Sequence, residues 1–180
     1  MAKDLRHDDS NEDRLNEACA ALVRECEREE ENCLYTSTSF LIWVRCLRYV
    51  RGALGIGAVA ASAVAASHIL RGDPSYRILM AAAALGAVIL PGIGRALRID
   101  AAIRDYAVAA AGFKNLQNEF RRASQVWSLK PYPEFESEAR KLFRLINEAR
   151  KPSFTPPELC FRLARWKIRR GHYEYDENSK

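Results

Sequence analysis

GALGIGAVAASAVAASHIL, from Gly52 to Leu70, carries no fixed charge and is closed at both ends by arginine, Arg51 and Arg71. At about 1.5 Å of rise per helical residue it reaches about 28 Å, close to the hydrocarbon thickness of a bilayer. It predicts a membrane-spanning helix over 52–70. A second uncharged stretch, ILMAAAALGAVILPGIG from Ile78 to Gly94, follows the polar connection RGDPSYR at 71–77. Gly72, Asp73 and Pro74 are turn formers, so the chain is expected to reverse there and form a two-helix hairpin in the membrane. The competing reading is a soluble bundle around a buried alanine-rich helix pair. Against it, two spans without Lys, Arg, Asp or Glu are hard to bury in a small chain.

The 180 residues leave room for one domain, or for a hairpin and its soluble flanks. The mean hydropathy of −0.27 conceals a polar N-terminal segment, an uncharged centre and a charged C-terminal end. The net charge of +5 raises the question of nucleic acid, but much of the excess sits beside the spans. Arg45, Arg48 and Arg51 precede the first; Arg95, Arg98 and Arg104 follow the second. Positive residues beside a span stay on the cytoplasmic side. Both termini are therefore expected in the cytoplasm, with the turn outside, in a multi-pass protein of the inner membrane. Cys19, Cys26, Cys33, Cys46 and Cys160 all fall in segments so placed, where thiols stay reduced, and their odd number argues against a disulfide framework. No signal peptide is expected, since a long charged stretch precedes the first apolar run.

Residues 1–9 are expected to be a flexible N-terminus, and 10–176 a single domain. Ser10 with Asp13 predicts a helix start. The arm 10–51 carries a narrow coiled-coil seam at Leu15, Cys19, Leu22, Cys26 and Cys33. YTSTS, Tyr35 to Ser39, predicts a kink or break, because hydroxyl and β-branched side chains disfavour helix. FLIWV at 40–44, followed by Arg45, Arg48 and Tyr49, suits a membrane interface. After the second span, an arm over 95–128 places Ile99, Ile103, Tyr106, Ala110, Phe113, Leu116, Phe120, Ala123 and Trp127 on one face. The two arms match in length, so they are expected to pair as an antiparallel cytoplasmic stalk.

Pro131 and Pro133 stop the second arm. The segment 134–171 then holds two shorter helices that pack on the stalk. The first turns Ala139, Leu142, Phe143, Leu145, Ile146 and Ala149 inward. The second is expected to start at Thr155 as N-cap with Pro156 and Glu158 in its first turn, and to end at Gly171. The fold class is thus all-α: a two-transmembrane-helix hairpin continued into a helical stalk, with two C-terminal helices on it.

Catalytic signatures are missing. His7, His68 and His172 have no partner at a catalytic spacing, and no glycine-rich phosphate loop follows a strand, so no catalytic residue, cofactor or metal ion is expected. Cys19, Cys26 and Cys33 recur every seven residues, which suits small seam residues better than chelation from one helix. Within the first span, Ala53, Gly57, Ala61 and Ala65 repeat every four residues, beside a second row of Ala58, Ser62 and Ala66. Rows of small residues let helix backbones approach closely in lipid. They serve either packing on Ala82 and Gly86 of the second span or contact between copies in an oligomer. Ser62, Ser67 and His68 are candidates for a polar pore lining, although Ser67 and His68 also suit the end of a span and Ser62 can bond to the preceding turn. Arg162, Arg165, Lys167, Arg169 and Arg170 crowd the last helix. They form either a solvated face, with Phe161, Leu163, Ala164, Trp166 and Ile168 docked beneath, or a site for a headgroup or phosphate.

With these pieces in order, the chain from Arg14 to Asp176 resembles the SLATT family, two-span effector domains of prokaryotic conflict systems. The resemblance is carried by the polar helical lead-in, the tight pair of Ala/Gly-rich spans, AAAGFKNLQNEFRRA at 109–123, and the terminal LARWKIRRGHYEYD at 163–176. It implies a non-enzymatic effector that forms homo-oligomers and compromises the inner membrane on infection, causing dormancy or death of the cell. It also implies a separate partner, such as a cyclic-oligonucleotide synthase, a SLOG-type sensor or a reverse transcriptase, since no such domain lies within these residues. Two rivals stand beside it: a passive two-span scaffold that recruits a cytoplasmic partner, and a soluble basic helical protein that binds nucleic acid.

Overall fold

The computed structural model describes the backbone of residues 2–71, 77–151 and 155–170, and the side chains of 14–67, 78, 80–151 and 155–170. The turn between the spans, Gly171 and the side chains of His7, His68 and His172 lie outside the described residues, and the last helix ends at Arg169, before the Gly171 cap expected for it. Within them, every regular element is helical. These are α1 (Ala2–Arg71), α2 (Arg77–Ala96), α3 (Ile99–Gln125), a 3-10 turn (Trp127–Leu129), α4 (Tyr132–Ala149) and α5 (Glu158–Arg169). The chain divides into two compact units. Unit 1 takes residues 1–41 and 108–180; unit 2 takes 42–107.

α1 is continuous where a break at Thr36–Ser39 was expected. The hydroxyls that compete with helix here bond back to it: Thr36 Oγ1 donates to Asn32 O at 2.8 Å, Ser37 Oγ to Leu34 O at 3.1 Å and Ser39 Oγ to Tyr35 O at 2.8 Å. Ser37, Thr38 and Ser39 are buried, and hydroxyls that bond within their own helix can be buried without an orphaned polar atom.

Unit 1 draws its core from four helices. Cys26, Cys33 and Phe40 of α1 are buried, as are Ala110, Phe113, Phe120 and Ala123 of α3, Phe135, Ala139, Leu142 and Ile146 of α4, and Cys160 and Ala164 of α5. The Phe40 and Phe113 rings stack at 5.8 Å, and Phe120 meets Phe143 at 5.5 Å. Leu15, assigned to the seam, is exposed, as is Leu145, assigned to the inward face of α4. Glu29 is the buried carboxylate of this core; Arg150 at the end of α4 donates to its Oε2.

Helix boundaries differ from expectation at four places: α1 is already helical from Ala2, where a flexible segment and a start at Ser10 were expected, and the other three differ for a backbone reason. α2 runs on to Ala96, carrying Pro91 inside it, and the next helix begins at Ile99 rather than at Arg95. Arg98 lies between them with φ of 48°, a left-handed turn that an α-helix cannot include. Pro133 stands within α4 rather than before it, in the first turn, where a missing N–H costs nothing. α5 starts after Pro157 instead of Thr155, because a residue that precedes proline is pushed out of helical conformation and Pro156 precedes Pro157.

Candidate functional site

The paired apolar helices of unit 2 are the candidate site. On α1, Leu54, Gly57, Ala58, Ala61 and Ala65 are partly or fully covered; on α2 the same holds for Met80, Ala83, Gly86, Ala87, Leu90 and Gly94. Apart from the adjacent pairs Gly57/Ala58 and Gly86/Ala87, both sets step by threes and fours, the spacing of a helix-packing seam. They meet through glycine. A Cβ on Gly57 would stand 3.2 Å from Leu90 Cδ1, one on Gly86 3.7 Å from Ala61 Cβ, and one on Gly94 3.7 Å from Leu54 Cδ1. The first of these is too tight for an ordinary side-chain contact, so Gly57 is the point where the lack of a Cβ sets the approach.

Apart from Leu54, Met80 and Leu90, the described large apolar side chains point the other way. Ile56, Val59, Ile78, Leu85, Val88 and Ile89 are all more than half exposed. Of residues 52–67 only Ala58 is buried, and of 80–96 none is. Small residues inside and large apolar ones outside reverse the arrangement of a water-soluble helix pair, in which the branched side chains fill the core. Two helical stretches, within 14–67 and within 80–129, are long and apolar enough to cross a membrane.

Of the packing residues expected from sequence, Gly57, Ala61, Ala65 and Gly86 lie on the seam, whereas Ala53 and Ala82 are exposed. Leu54, Leu90 and Gly94 take part without having been singled out. The signal for Leu54 was present: the seven-residue step that joins Cys19, Cys26 and Cys33 continues through Phe40, Leu47, Leu54 and Ala61, every one at least partly covered. A second small-residue face of α1 stays open. Gly52, Gly55, Ile56, Val59, Ala60 and Ala63 line a shallow apolar groove of about 520 Å³, and a Cβ on Gly52 or Gly55 would meet nothing within 4 Å.

Polar groups in the spans are satisfied locally. Ser62 Oγ donates to Ala58 O at 2.9 Å and Ser67 Oγ to Val64 O at 2.9 Å, and both residues are exposed. Arg45, Arg48, Arg51, Arg95, Arg98 and Arg104 are exposed around the span ends. Arg51 pairs with Asp100 at 3.0 Å, and Ile99, next to Asp100 in the chain, forms a cluster with Val44 and Ile103 flanked by Leu47 and Leu54. Trp43 meets Tyr106 edge to face at 6.5 Å.

No family model, curated protein or solved structure matches this chain.

Burial and the neighbouring carboxylates push the Cys26 thiol up to about 11, by Glu25 and Glu27, and the Cys33 thiol up to about 12, by Glu29 and Glu30. Such thiols are protonated at neutral pH and poor nucleophiles or ligands. Among the described residues no group of three His, Cys, Asp or Glu is placed to hold a metal ion. On α5, Cys160 and Ala164 are buried and Phe161, Lys167 and Ile168 partly so, while Arg162, Arg165, Arg169 and Arg170 are exposed. Leu163 and Trp166, expected beneath the basic residues, lie among them at the surface together with Leu159.

Proposed function

We propose that this chain is a non-enzymatic membrane effector of a prokaryotic anti-phage defence system. It sits in the inner membrane with both termini cytoplasmic, assembles into homo-oligomers on a signal from a separate sensor, and permeabilises the bilayer, arresting or killing the cell. The single observation that carries the membrane part is the reversed packing of unit 2, with glycine and alanine between the helices and Ile56, Val59, Leu85 and Val88 outside. Lipid tails solvate such an exterior at no cost, whereas water does not. The exposed arginines at the span ends support the orientation. Within unit 1, Cys19 lies by Ser128 and Phe40 by Phe113. That pairing supports an antiparallel run of the two arms.

The open groove at Gly52, Gly55 and Ala60 supports contact between copies, since Gly57, Ala61 and Gly86 are already used within the chain. The defence role, the signal and the sensor come from the SLATT resemblance. Purified protein reconstituted in dye-loaded liposomes, and cells expressing the chain with its genomic neighbours under phage challenge, test the function. Dye release and depolarisation are the expected outcomes; intact liposomes and an unchanged membrane potential would overturn permeabilisation. A passive scaffold is the second reading. It is favoured by Ser62 and Ser67, whose hydroxyls are spent on their own helix rather than aimed into a shared polar path.

A further inference from the structure

We propose that the outward face of α5 is a docking surface for anionic lipid headgroups. α5 is held to unit 1 by one side only, at Cys160 and Ala164. On the opposite side Leu159, Leu163 and Trp166 are spaced four and three apart and are 66%, 48% and 48% exposed. At 100° per residue they form one stripe along the helix. Arg162, Arg165 and Arg169 run beside this stripe, and Arg170 lies over it with its guanidinium 4.0 Å from the centre of the Trp166 ring. From Glu158 to Arg170 the sequence holds five basic residues and one acidic, Glu158 itself in the first turn.

The combination selects the partner. A solvated basic face has no use for three aligned apolar side chains, and an acidic peptide without apolar side chains of its own would be met by the arginines alone. Single-stranded nucleic acid stacks bases on an open aromatic ring, but one face of Trp166 is already covered by Arg170. A bilayer surface offers both chemistries at once: phosphates for the arginines, and, a few ångströms deeper, the acyl boundary for Leu159, Leu163 and the indole. The inference borrows from the membrane reading only the nearness of a bilayer; the face would bind headgroups on a soluble chain as well.

Flotation tests it. The full chain, held in nanodiscs of neutral phosphatidylcholine, is mixed with vesicles of phosphatidylcholine alone or with about 30% phosphatidylglycerol, a cytoplasmic-leaflet-like charge. Capture by the anionic vesicles alone is expected, and it weakens as salt is added. R162Q/R165Q/R169Q lowers capture at least about tenfold, the three lysine replacements retain it, and L163S/W166S lowers it with the charge unchanged. Helix content by circular dichroism verifies that each variant is folded. Equal capture by neutral vesicles, or L163S/W166S binding as the parent does, overturns the proposal. So does tighter binding of labelled RNA or of an acidic peptide in competition with the vesicles. A chain that never enters the discs refutes the membrane reading instead, and the same flotation with that soluble protein still decides the α5 face.

Discussion

At the scale of residues, unit 1 depends on a few polar groups whose partners come from distant sequence. Glu29 is buried, with Arg150 and, at 3.4 Å, Asn32 as its donors. Arg150→Ala removes the cation that pairs with this carboxylate and is expected to cost about 1–3 kcal/mol, read as a lower melting temperature in detergent; an unchanged melt would mean that the pair contributes nothing. Glu30 behaves differently. Burial raises its carboxyl above the ordinary 4.5, against the pull of Arg121. A carboxyl raised in this way binds its proton more tightly when folded. Its contribution to stability is full below the unfolded value and is lost as pH rises through the folded one. Glu30→Gln is therefore expected to raise the melting temperature at pH 7, with the gain shrinking to nothing by about pH 4. The cysteines supply a third test. Cys46 is exposed while Cys26, Cys33 and Cys160 are buried. A maleimide at neutral pH should label Cys46 in the folded protein and the three buried thiols only after denaturation.

At the scale of elements, α1 is decisive because one helix carries two small-residue faces with different fates. Gly57→Leu pushes a side chain against Leu90, where a Cβ alone already stands at 3.2 Å. Overpacking of this kind costs about 1–3 kcal/mol, so the variant is expected to melt earlier and to separate α1 from α2. Gly55→Leu meets open space and should leave the melt within about 1 kcal/mol, helix propensity included. Cross-linking in membranes then separates the two faces. Fewer cross-linked copies with Gly55→Leu place the contact between molecules on the open groove; an undiminished ladder rules that groove out. Elements were legible in sequence to different degrees. The buried apolar positions of α3, from Ile99 through Phe120 to Ala123, follow from helical period, whereas Gln117 and Ser124, buried beside them, do not. The ends of α2, α4 and α5 do not, because they turn on Arg98 in a left-handed conformation and on what Pro133 and Pro157 permit in a first turn.

At the scale of the whole molecule, the deciding question is which solvent surrounds the helix pair. Alkaline carbonate extraction answers it: an integral protein stays in the membrane pellet, and release into the supernatant would return the chain to the soluble bundle and remove the effector reading with it. What the sequence by itself determined is everything that depends on length and period: an all-helical chain, two uncharged stretches long enough to cross a bilayer, and a heptad seam through the cysteines. These are properties of a helix about its own axis, readable without knowing its neighbours. What only the tertiary structure decided is which faces are covered. Ala53 and Ala82 share their helices with Gly57 and Gly86 yet are exposed. Leu163 and Trp166 lie outside on α5 although they are as apolar as the buried positions, and Glu29 meets an arginine 121 residues away. A helix can present several apolar faces, and the shape of the partner that packs against it, built from remote parts of the chain, selects the one that is buried.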